Sequence, residues 1–152
     1  MSYHHWFRPS CAVSQQHVSM SELIQKRLRN IISELGNDAA WTPGRLYESL
    51  NLIRPLFDAE ENLMIQSHYP DYTFQKNAHC YFLREMEILK KSSRFLENER
   101  YAAAWLNSHE ALGGEKFHRY LLSRSDEKKE PEMTLLVKVT PAYPVVPPKI
   151  IQ

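Results

Sequence analysis

Glycine placement constrains this chain more than any other feature. Only four glycines occur in 152 residues, Gly36, Gly44, Gly113 and Gly114, and each lies near the edge of a stretch with helical apolar spacing. Glycine punctuates regular structure, so its absence from the intervening stretches favours long helices over a turn-rich β architecture. The same scarcity removes two phosphate-cradling loops, since neither G-x-G-x-x-G nor G-x-x-x-x-G-K occurs.

The apolar pattern predicts four long helices. The first runs from about Gln15 to Leu35, capped by Ser14 or, in competition, by Ser19 with Glu22. Met20, Leu23, Ile24, Leu28, Ile31, Ile32 and Leu35 recur on one face, and Gly36-Asn37 stop it. The second opens on Thr42 as cap with Pro43 in the first helical position. Its stripe reads Leu46, Leu50, Ile53, Phe57, Glu60 and Met64, and it ends before Tyr69-Pro70. The third is capped by Asp71 and steps Tyr72, Gln75, His79, Phe82, Met86, Leu89, lasting to about Leu96. The fourth spans about Glu99 to Leu112, with Ala102, Trp105, Leu106, His109 and Leu112 on one face. Gly113-Gly114 should end it, before a shorter amphipathic piece containing Phe117, Tyr120 and Leu121. Four segments on short links give antiparallel neighbours, hence an all-α, up-and-down four-helix bundle over residues 1–124 with a short fifth helical segment. Residues 125–152 read as a tail: a charged run, the β-prone stretch Met133 to Val139, then an extended proline-rich arm from Pro141 to Pro148.

Composition narrows the class. One domain's length of chain, 43% hydrophobic and 24% charged, suits a globular protein with a core of its own. A net charge of +1 offers no counterion surface for nucleic acid or an anionic membrane. No apolar run reaches the roughly 18 residues of a membrane span, and Met1 to Pro9 lacks the pattern of a signal peptide. Cys11 and Cys80 form no C-x-x-C pair, which fits a reducing cytoplasm. Cys80 is expected as a buried, inert thiol and His68 as a surface residue. There is no nucleophile arrangement that would suggest an enzyme.

Certain residues do not belong on an apolar face. Glu60 falls between Phe57 and Met64, His79 between Gln75 and Phe82, His109 between Leu106 and Leu112, and His17 shares a face with Met20 and Ile24. A lone core histidine is ordinarily hydrogen-bonded to a carbonyl or a tyrosine. A buried carboxylate, by contrast, must take a proton or find a cation. One such group on each of four helices suits Fe, Mn or Zn if all four meet at one depth.

Five stretches resemble the bacteriohemerythrins of the hemerythrin family, over about Trp6 to Arg124. Val13-Ser-Gln-Gln-His17 with Met20 is similar to the family's I-D-x-Q-H opening, and Leu56-Phe-Asp-Ala-Glu60-Glu61-Asn-Leu-Met64 to H-F-x-x-E-E-x-x-M. Tyr69-Pro70 with Gln75 and His79 resembles Y-P-x-x-x-x-H-x-x-x-H. Trp105-Leu106-Asn-Ser-His109 resembles W-L-x-x-H, and Phe117 fills a following aromatic position. The resemblance implies a diiron, oxygen-binding bundle with seven ligands. His17, Glu60, His79 and His109 match four of them, while Leu56, Gln75 and Gly114 stand where two histidines and an aspartate would be.

A mononuclear metalloenzyme with redox or peroxide chemistry finds no substrate pocket in the sequence, and two further readings stay open. In one, His79, His109 and Glu60, helped by Gln75 or His17, hold a single iron, a second iron being disfavoured by Leu56, and the protein is metal- or dioxygen-responsive. In the other, a metal-free bundle serves as a structural or protein-interaction module, with residues 125–152 gripping a second copy.

Overall fold

The computed structural model describes residues 13–126. Their regular structure is entirely helical: α1 (Gln15–Leu35), a 3-10 turn (Asp38–Ala40), α2 (Arg45–Gln66), α3 (Tyr72–Leu89), α4 (Phe95–His109), a π-turn (Glu110–Gly114) and α5 (Glu115–Asp126). No strand occurs among the described residues, and no helix there is long and apolar enough to cross a membrane. The β-prone stretch, the proline-rich arm and any self-association through them lie outside the described residues.

Helix existence follows the apolar spacing, whereas several ends move. Helix α2 starts at Arg45 instead of Pro43. Thr42 O accepts the Arg45 N–H at 3.2 Å, and Gly44, at φ 83°, occupies the cap. A left-handed cap is a position where glycine carries no Cβ penalty. The α3–α4 break comes earlier than expected, at Lys90–Arg94. Ser92 Oγ accepts the Arg94 N–H at 3.1 Å, and the Asn98 amide donates to Leu89 O at 3.0 Å. Such short polar side chains compete with the helical ladder and end it.

Gly113-Gly114 do not end α4. The chain passes through the π-turn directly into α5, so the fourth and fifth segments form one interrupted rod.

Helix α1 packs against α2, α4 and α5, and α2 packs against α3 and meets α4. Leu28, Ile53, Phe57, Phe82, Leu106 and Phe117 anchor the shared core. The buried face of α1 is rotated from the expected stripe: Val18, Ser21 and Gln25 are buried, while Met20 and Leu23 are each 41% exposed. Leu112 is exposed at 75%, turned out by the π-turn. Cys80 is exposed, because it follows the inward His79 and helical neighbours point about 100° apart.

One buried ion pair ties three elements. Arg45 donates to Glu99 Oε2 at 2.6 Å and to Asn37 O at 2.8 Å, with both side chains nearly inaccessible. Removing one partner of a buried pair leaves an uncompensated charge. Glu99→Ala is therefore expected to destabilise the chain by about 3 kcal/mol in urea unfolding. A loss below about 1 kcal/mol, typical of a surface pair, would show that the carbonyls alone satisfy Arg45.

Candidate metal centre

Three elements bring three side chains to one point. The α2 stripe turns Glu60 inward, one helical turn beyond Phe57. The α3 seam turns His79 inward between Gln75 and Phe82, and the last turn of α4 delivers His109. Glu60, His79 and His109 are 3%, 1% and 8% exposed. The donor atoms of all three lie within 4.8 Å of one another.

The edges of that triangle are informative. His79 Nε2 lies 3.1 Å from His109 Nε2 and 3.2 Å from Glu60 Oε2, and His109 Nε2 lies 3.6 Å from the same oxygen. At bond lengths of roughly 2.0–2.2 Å, adjacent donors on one transition-metal ion sit about 2.8–3.6 Å apart. The triangle therefore fits the face of a coordination polyhedron.

Its hydrogen bonding is incomplete without a cation. The Nδ1–H of His79 donates to Glu61 Oε1 at 2.8 Å, so in the neutral ring the Nε2 lone pair faces the centre. Glu60 Oε2 lies within ion-pair distance of both rings, yet it has no aligned hydrogen bond and is counted among the unsatisfied buried atoms. The His79 lone pair and the Glu60 oxygen thus converge on His109 Nε2, which shares a proton with His79 across 3.1 Å or, without that proton, joins them around a metal.

The surroundings fix the rings. Glu61 sets the His79 tautomer and orientation, as carboxylates do for metal-binding histidines. Phe57 stacks on His79 at 3.9 Å with 5° between planes, and Trp105 lies parallel to His109 at 5.2 Å. Phe82 stacks in turn on Trp105 at 4.4 Å. No family model, curated protein or solved structure matches this chain.

Of the remaining candidates, His17 is not in the cluster. Its Nδ1 accepts the Ser14 N–H at 3.0 Å, and its Nε2 lies 3.2 Å from Gln66 Oε1, which makes it a satisfied capping residue. Gln75 is buried, with its amide against Gly113: a Cβ there would lie 2.6 Å from Gln75 Oε1. Leu56 is buried in the apolar core, and Glu115 turns out to pair with Arg119 at 3.1 Å.

Two carboxylates escaped the sequence reading. Glu61 was masked by standing one position off the α2 stripe, although an E-E pair was visible. Glu110 follows His109, where regular helix geometry would send it away from the core. It is nonetheless buried, and neither carboxyl oxygen has a partner.

Burial alone would raise the Glu60 carboxyl, but interactions with the His109 and His79 rings outweigh it and hold the group at about 2. Glu110 is pushed up to about 8, chiefly by burial. The Glu60 charge adds to this and Arg29 opposes it. Between 4.5 and about 8 the folded chain keeps a proton on Glu110 that the unfolded chain releases, so stability falls as pH rises through this window. The metal-free protein should lose on the order of a few kcal/mol across the interval in urea titrations, and Glu110→Gln should flatten that slope. Identical slopes in both proteins would count against a neutral, buried Glu110.

Proposed function

We propose that this chain is a hemerythrin-like metal-binding protein. In this reading an up-and-down four-helix bundle holds one iron ion through Glu60, His79 and His109. The observation that carries it is the convergence of three buried donors at metal-compatible spacing, with one carboxylate oxygen unsatisfied. Two imidazoles and a carboxylate form the donor set of many non-haem iron sites that keep open positions. The ion would supply Lewis acidity and a redox couple.

The protein's own contributions are distinct. Glu60 brings the negative charge, and its depressed carboxyl keeps it ionised at neutral pH. Glu61 orients His79 and fixes its tautomer. Phe57 and Trp105 hold the rings in place and limit water. The second half of a dinuclear centre lacks support, since Leu56 is apolar and His17 is engaged as a cap. A single ion follows, and with it a role in binding, storing or sensing, with dioxygen as the candidate small-molecule partner in the cytoplasm.

A second reading is a metal-free interaction module. It is favoured by the apolar groove between α1 and α2, where Met20, Leu23 and Leu52 stay exposed. Metal analysis separates the two. After anaerobic loading with Fe(II) and desalting, the full chain should retain about one iron, and His79→Ala should weaken binding by about 100-fold or more. Retention below about a tenth of an equivalent, with Zn(II) equally unbound, would leave the interaction module standing.

A further inference from the structure

Besides the three clustered donors, one further buried carboxyl group among the described residues has no hydrogen-bond partner. Glu110 is 8% exposed, and both of its oxygens are buried without a hydrogen bond. A buried polar group left without a hydrogen bond carries a free-energy penalty, so its retention calls for a partner beyond the side chains around it. The charges facing it are Glu60 and Glu115, which repel it, and Arg29, which attracts it.

The backbone is shaped to admit this group. A Cβ at Gly114 would lie 2.7 Å from Glu110 Oε1 and 3.1 Å from its Cδ, so the carboxyl occupies space that any other residue at 114 would fill. Glycine inside a helix is destabilising relative to alanine, so its presence there calls for a local reason. The π-turn starts at Glu110 itself. Such widened turns leave the regular ladder locally and occur often at functional sites. Here His109 and Glu110 are both buried, although regular helix geometry would point them about 100° apart.

Charge balance supplies the remaining reason. A divalent ion on Glu60, His79 and His109 leaves one net positive charge in a dry core, an expensive arrangement unless a second anion joins it. We infer that Glu110 is a fourth protein ligand: it stands outside the triangle of Glu60, His79 and His109, one residue beyond His109, and turns its carboxylate onto the ion when the ion binds. The inference rests on the metal-binding reading above. It gives the site two carboxylates and two imidazoles, a neutral set with a divalent ion, and a ligand that moves on loading.

The test uses Co(II), whose visible absorption reports coordination, and Zn(II) competition for affinity, with the full chain, Glu110→Gln and Glu110→Leu. The leucine variant fills the same buried volume with an apolar side chain should the amide fail to fold. The wild-type chain is expected to bind one ion. Each variant that folds is expected to bind at least about 10-fold more weakly, with a cobalt spectrum altered in band position and intensity. Equal affinity and superposable spectra would overturn Glu110 as a ligand while leaving the three-donor centre intact. Failure of the wild-type chain to bind either ion would instead overturn the centre itself.

Discussion

The unsatisfied oxygen of Glu60 is the constraint around which the rest is arranged. An ionised carboxylate at 3% exposure is costly unless positive charge or donors face it, and the two imidazole nitrogens beside it are placed to meet that need as an imidazolium or as co-ligands of a cation. That requirement couples α2, α3 and α4 more specifically than apolar contact can, because a shift of one residue along any of the three would break the triangle. It also explains the ring packing. Phe57 lies flat on His79 and Trp105 on His109, so neither imidazole is free to turn away from the carboxylate.

Much of this was legible from apolar spacing. Residues repeating every three or four positions identify the helices and the inward-facing exceptions, and Glu60, His79 and His109 stood out because polar groups interrupted otherwise apolar seams. Helix ends were less legible, since they depend on single local bonds such as Ser92 Oγ to the Arg94 N–H. His17 shows the limit of a face argument. It shares a face with Ile24, yet it stands three residues after Ser14, the spacing of a reciprocal cap, and local capping outcompeted the core. The resemblance to hemerythrins includes the three residues that the structure brings together, and it also gives His17 a ligand role where the structure has it engaged as a cap.

Glu61 and Glu110 were missed for opposite reasons. Glu61 lies one residue off the stripe and acts through His79, so only a tertiary distance reveals it. Glu110 is hidden by the assumption of regular helix geometry. A residue after His109 steps about 100° around the rod, which a single-stripe reading sends off the core face, yet the structure buries both, as it buries the adjacent Ala102 and Ala103 of the same helix. A narrow apolar stripe does not show how wide the buried face of this helix is.

The paired glycines carry the same lesson further. Gly-Gly reads as a helix end because glycine frees the backbone, and at Gly113-Gly114 the chain continues helical regardless. What these positions use is the missing Cβ. One makes room for the Gln75 amide and the other for the Glu110 carboxyl, both within 3 Å of where a side chain would begin. The two uses of glycine are indistinguishable in a sequence, yet they have opposite consequences. A terminating pair would place His109 on a fraying end. A space-making pair places it in a continuous rod whose next turn presses two polar groups toward the core. The helical continuity of α4 through the π-turn into α5 therefore mounts His109 within a rod instead of at its end, so the placement of the centre depends on residues that, by composition alone, look like its weakest point.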